Sequence, residues 1–200
     1  MGGPYPNDQG NPAGAIPAWE APPPNLQSAN FAADTLGAQL DPNPGVFRGL
    51  VVGTAGTASS AILYDGTSAV VTMNLHSPAT ITWVGHPFQP GDAVFFTTTG
   101  HLYTGLVAGT LYYVSVTAFT ANSFQVADTQ SHALAGTNSV NTSVTEAGVQ
   151  TAWNASVPLG TFDTTAVESL TMPAGGLRYL AGLILTTASS GAANLTVAYY

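Results

Sequence analysis

The sequence predicts an all-β protein: an antiparallel β-sandwich or jelly-roll-like body, an inserted or adjoining small β-module, and an extended N-terminal arm. Three observations predict it. From Phe47 onward apolar residues recur with a period of two, turn residues interrupt them at short spacing, and no window beyond residue 45 sustains a capped 3.6-residue period. Many short strands between turns favour a sandwich over a parallel α/β sheet.

The arm comes first. Residues 1–45 carry most of the proline, and Asp41-Pro42-Asn43-Pro44-Gly45 closes the segment with a turn signal. Proline fixes φ and removes donors, so the arm is expected to be extended, with at most a short helix between Leu26 and Leu40. A solvated tail is the plain alternative. Yet Tyr5, Ile16, Trp19, Leu26 and Phe31 are apolar anchors that a tail does not need, and they are the candidate partner-binding residues.

The strands follow. Val71, Met73 and Leu75 alternate with Val70, Thr72 and Asn74, and Ile81 and Trp83 with Thr80 and Thr82. Phe124 and Val126 flank Gln125; Leu195, Val197 and Tyr199 alternate with Thr196 and Ala198. Tyr64-Asp65-Gly66-Thr67 reads as a hairpin turn, with Asp65-Gly66 in the type I′ position. Residues 46–78 and 148–200 are expected to pair into one sandwich, because neither group of strands is stable alone. Residues 79–147, with three of the four histidines and most of the strand aromatics, form the separate β-module.

Composition narrows the function. With 45% hydrophobic but only 6% charged residues, against about 25% charged in ordinary domains, the body folds and is solvated by threonine, serine, asparagine and glycine. Two arginines and no lysine oppose ten carboxylates, for a net charge of −8. Nucleic acid and anionic membranes therefore drop out as partners. Cysteine is absent, which removes disulfides and thiolate metal sites. The N-terminus lacks the positive region of a signal peptide, and no apolar run reaches membrane-spanning length. The expected route out of a cell is lysis or assembly into a particle.

Chemistry is sparse. There is no nucleophile elbow, His-Glu-x-x-His or phosphate loop. His76, His86, His101 and His132 stand far apart; a site built from His86, Asp92 and His101 is weighed against ordinary loop histidines, and no metal or cofactor is assigned. Asp65, Asp92, Asp128, Asp163 and Glu168 are the acids from which a glycosidase pair would be drawn, but the first, second and fourth suit turns. No catalytic residue is assigned, and the protein is expected not to be an enzyme. Arg48 and Arg178 are expected to pair with carboxylates within or between subunits. Trp83, Tyr103 and Tyr112 are candidate glycan contacts, since flat rings suit pyranose faces; the alternative is that they pack in the core.

One segment carries a resemblance. Residues 85–145 hold, in order, Gly91-Asp92, Phe96, Thr98-Thr99-Gly100, Leu102, Gly105-Leu106, Gly109-Thr110, Tyr112-Tyr113-Val114 and Asn122 to Ala127. This run resembles a β-module of tailed-bacteriophage virion proteins, departing at Tyr103 where proline is common, and covers about a third of the chain. Leu63 to Ser68 and the end at Val197-Ala198-Tyr199-Tyr200 are similar to small phage β-sandwich proteins. The resemblance implies a structural virion component and no catalytic residues. A capsid decoration protein is the expected function, docked by its arm on the major capsid protein, homo-oligomeric and favoured as a trimer. The competing readings are a tail adaptor, baseplate or fibre subunit, and a host-glycan-binding module. The expected location is the virion, assembled in the host cytoplasm.

Overall fold

A computed structural model describes residues 27–31, 36–56, 60–142, 147–173, 175–187 and 194–200. In chain order the elements are β1 (Gln27–Phe31), β2 (Ala38–Asp41), β3 (Gly45–Thr54), β4 (Ser60–Asp65), β5 (Ser68–Met73) and β6 (Ile81–Thr82). Then come β7 (Ala93–Thr98), β8 (Tyr112–Val114), β9 (Ser123–Phe124), β10 (Val126–Ala127) and α1 (Gln130–Ala135). The last are β11 (Gln150–Asn154), β12 (Val157–Asp163), β13 (Glu168–Thr171), β14 (Leu177–Tyr179), β15 (Leu183–Thr187) and β16 (Asn194–Tyr199). The fold is all-β and antiparallel, as the period of two predicts.

Two sheets form the sandwich. One runs β1-β16-β3-β13, with β14 also on β3; the other runs β12-β4-β15-β2. Alternation puts Leu50 and Val52 of β3 and Leu195, Val197 and Tyr199 of β16 inward, against Leu63 of β4 and Leu183 and Leu185 of β15, and a bulge at Arg48, opposite Ala198 and Tyr199, shifts the phase of β3 so that Phe47 joins them. Burying these side chains is the main stabilising term of this region.

The seven-stranded sheet, β10-β8-β7-β11-β5-β6-β9, curls almost into a barrel. Its two end strands, β9 and β10, are separated in the chain by the single residue Gln125, so the curl brings the sheet edges together and leaves little free edge. Inside lie Val71, Ile81, Phe88, Val94, Phe96, Val114 and Phe124.

The barrel grows out of the sandwich along one ribbon. β4 pairs with β12 in the sandwich, and the same two chain segments continue as β5 paired with β11 in the barrel. Between them Asn154 N–H donates to Thr67 C=O at 2.9 Å. Here the structure differs from the sequence reading: β4 and β5 do not pair, so Tyr64-Asp65-Gly66-Thr67 is a crossing between sheets and not a hairpin. Glycine is needed for close approach, since a Cβ at Gly66 would collide with the Asn154 carbonyl oxygen. Asp65 likewise serves a distant partner. Its carboxylate accepts the N–H groups of Leu180 and Ala181, both at 2.7 Å, and so fixes the turn before β15.

β5 and β11 belong to the barrel, so the structural division falls after Asp65 and before Val157, outside the expected limits of 79 and 147. The described part of the N-terminal segment is extended, as its prolines predict: β1 pairs with β16 on one sheet and β2 with β15 on the other, both at sheet edges, where extended, proline-flanked segments fit. α1 was not foreseen. Thr129 caps it, accepting His132 N–H through its side chain, and Gly136 ends it at φ 67°. Six residues are too few to display a period.

A third cluster joins the two regions. Tyr64, Phe95, Trp153, Ala155 and Ile184 pack together, with Phe95 and Trp153 stacked at 5.8 Å between ring centres. Trp153 Nε1–H donates to Thr97 Oγ1 at 2.8 Å. Consequently β7 and β15 are buried on both faces where they meet, and each opens with an apolar run that does not alternate, Ala93 to Phe96 and Leu183 to Leu185.

Candidate functional site

Of the arm anchors, Tyr5, Ile16, Trp19 and Leu26 lie outside the described residues. Phe31 ends β1, where its main chain is paired with Leu195.

The candidate glycan aromatics fall in two different environments. Tyr103 and Tyr112 are buried in the barrel, a correction to their reading as sugar contacts. Tyr112 points inward by the alternation of β8, and Tyr103 is turned inward from the loop between β7 and β8. Tyr103 O–H donates to Met73 C=O at 2.6 Å, while Tyr112 Oη accepts Val107 N–H at 2.9 Å. Neither ring has a face to offer. Trp83 is half-buried, its ring set edge-on to Phe88 at 5.2 Å.

The histidines are separated likewise. His86 is buried among Phe88, Phe119 and Phe124, and its Nε2–H donates to Thr120 C=O at 2.7 Å. His101 forms a bridge with Ala147, and His132 Nδ1 lies 2.6 Å from Asp128 Oδ1. That hydrogen bond holds the Asp128 carboxyl below its ordinary value. Among the described residues no three His, Asp or Glu side chains are grouped as metal ligands.

The acids are mostly tied up locally. Asp92 Oδ2 accepts Gln89 N–H at 2.8 Å, and Asp163 accepts the hydroxyl and N–H of Thr165, which hold its carboxyl below the ordinary value. These are the turn roles that the sequence suggests. Within the chain, Arg48 lies 5.7 Å from the centre of the Tyr200 ring, and the ion pair among the described residues is His132–Asp128.

The outer face of β4 and the outer wall of the barrel meet at an angle and enclose a cleft that the sequence did not reveal. On β8, Tyr112 and Val114 point into the barrel, so Tyr113 between them points out, toward the sandwich. On β4, Ala61 and Leu63 point into the sandwich, so Ile62 and Tyr64 face the barrel. The Tyr113 side of the cleft measures about 400 Å³ and is lined by Tyr64, Tyr113, Asp92, Gln130, Ser156 and Thr161, among others. Beyond Leu111 a second recess of about 480 Å³ runs on past Phe95 and Thr186. Burial raises the Tyr64 phenol above its ordinary value, which a hydrogen bond with Thr186 partly offsets. Among the described residues, the Tyr113 side holds a single carboxylate and no histidine, lysine or arginine. The described lining does not supply the paired carboxylates of glycoside hydrolysis. No spacing rule announces the site, because its residues come from segments far apart in the chain.

Comparison with protein-family models, curated proteins and solved structures finds no match to this chain.

Proposed function

We propose that this protein is a non-enzymatic structural subunit of a tailed-phage virion, a capsid decoration protein that docks on the major capsid protein and stabilises the shell. The observation that carries the proposal is the place of the N-terminal strands. β1 and β2 complete the edges of opposite sheets, so the anchors Tyr5, Ile16, Trp19 and Leu26 precede a strand that is already fastened to the body. That arrangement suits a subunit whose folded part stays intact while its leading segment engages a neighbour. The lysine-free, threonine-rich surface supports the same reading, because weak charge limits repulsion among crowded copies. The resemblance of residues 85–145 to a virion module adds to it.

The test is a chain lacking residues 1–26, which keeps β1 and β2. Added to phage particles stripped of this protein, the full chain is expected to rebind to the head as an oligomer, a trimer by preference. The shortened chain is expected to keep its melting temperature and lose binding. Binding by the shortened chain overturns the docking role of the arm. Gold-labelled antibody over the tail replaces decoration with an adaptor, baseplate or fibre role, and no label on any particle ends the virion reading.

A further inference from the structure

We propose that the Tyr113 side of the cleft between the sandwich and the barrel is a binding site for a neutral sugar residue, stacked on the Tyr113 ring. The volume, about 400 Å³, lies within the range of small-molecule sites, and junctions between packed units are where such sites concentrate. Tyr113 is half-buried on the outer wall of the barrel, and no described hydrogen bond engages its hydroxyl. A flat ring with a polar tip matches a pyranose, which presents C–H groups on its faces and hydroxyls at its rim.

The polar lining fits hydroxyls better than any ion. Asp92 and the Gln130 amide oxygen supply acceptors, while Ser156 and Thr161 supply hydroxyls. Asp92 Oδ2 is held by Gln89 N–H and Gln130 Nε2–H is held by Gly91 C=O at 3.0 Å, so both side chains are oriented before a ligand arrives. With no cation in the lining and a net charge of −8, an anionic ligand is repelled. A single carboxylate already holding an N–H is a poor trap for a cation. A neutral polyol remains. The inference is independent of the virion reading, so either can fail alone.

Saturation-transfer NMR on the full chain, with maltotriose, cellotriose and chitotriose as neutral probes, tests the site. At least one probe is expected to bind, with strongest transfer to ring C–H protons. Tyr113→Ala is expected to weaken that binding by about tenfold, the size of one stacking contact plus one hydrogen bond. Because Tyr113→Ala also trims packing, Thr161→Trp serves as a second variant: Thr161 is exposed on β12, and the larger ring fills the cleft without disturbing a core. Loss of binding in both variants, each with an unchanged melting temperature, supports the site. Overturning results are silence from all three probes, binding that survives both substitutions, equal or tighter binding of 6′-sialyllactose, and competition by tetramethylammonium.

Discussion

The sandwich and the barrel solve the same problem in different ways. Sandwich strands are three to ten residues long, and its interior is almost entirely hydrocarbon and aromatic. Barrel strands are two to six residues long, so main-chain ladders alone leave many loop groups unpaired. The barrel compensates with buried polar side chains aimed at main chain in loops and at strand ends. Tyr103 reaches Met73, His86 reaches Thr120, and Gln150 Nε2–H reaches His101 C=O at 3.1 Å. Short strands leave the loops to be pinned from inside, and Tyr103, His86 and Gln150 supply the buried polar tips that do it.

Emptying one core at a time tests whether the two regions unfold separately. Phe47→Ala empties the sandwich core and Phe96→Ala the barrel core; both side chains are fully buried, and each substitution is expected to cost about 3–5 kcal/mol. Hydrogen exchange reads the consequence. Phe96→Ala should expose barrel amides while β3 and β16 stay protected, and simultaneous loss of both would make the two regions one cooperative unit. A smaller effect tests the ribbon between them. Gly66→Ala forces the chain away from Asn154, and a cost of about 1–3 kcal/mol is expected by denaturant titration. Unchanged stability would mean that the crossing is slack.

The sandwich also has a polar contact that titrates at high pH. Tyr179 O–H donates to Asp41 Oδ2 at 2.8 Å inside the sandwich, and burial, then the Asp41 partner, push the phenol well above its ordinary value of 10. A raised value means that the contribution is complete below pH 10 and fades as pH climbs toward the folded-state value. Tyr179→Phe should therefore flatten the loss of stability above pH 10, measured by melting temperature across pH 9 to 12. An identical alkaline slope in both proteins would assign that loss to other groups.

Much of the fold was legible because alternation is a local signal. Leu195, Val197 and Tyr199 are buried in β16 as their spacing predicts, as are Val71 and Met73 in β5. Leu75 is exposed instead, because β5 ends at Met73 and the period ends with it. Asp65-Gly66 misled because close approach and positive φ both select glycine, and the dipeptide does not say which applies. The junction did leave a mark: Val94-Phe95-Phe96 and Leu183-Ile184-Leu185 are apolar without alternation, as strands buried on both faces must be. The cleft left almost none. Tyr112 and Tyr113 are adjacent and chemically identical, yet one is core and the other lines the cleft, a difference that depends wholly on strand phase.

The adjacency of Thr67 and Asn154 has a consequence for how such a chain changes over generations. A cassette whose two ends meet across one hydrogen bond can be lengthened, shortened or swapped for another while the host hairpin of β4 and β12 keeps its register. The sandwich and its N-terminal strands tolerate such a change as long as the new cassette restores the packing that Phe95 and Trp153 make on Tyr64 and Ile184.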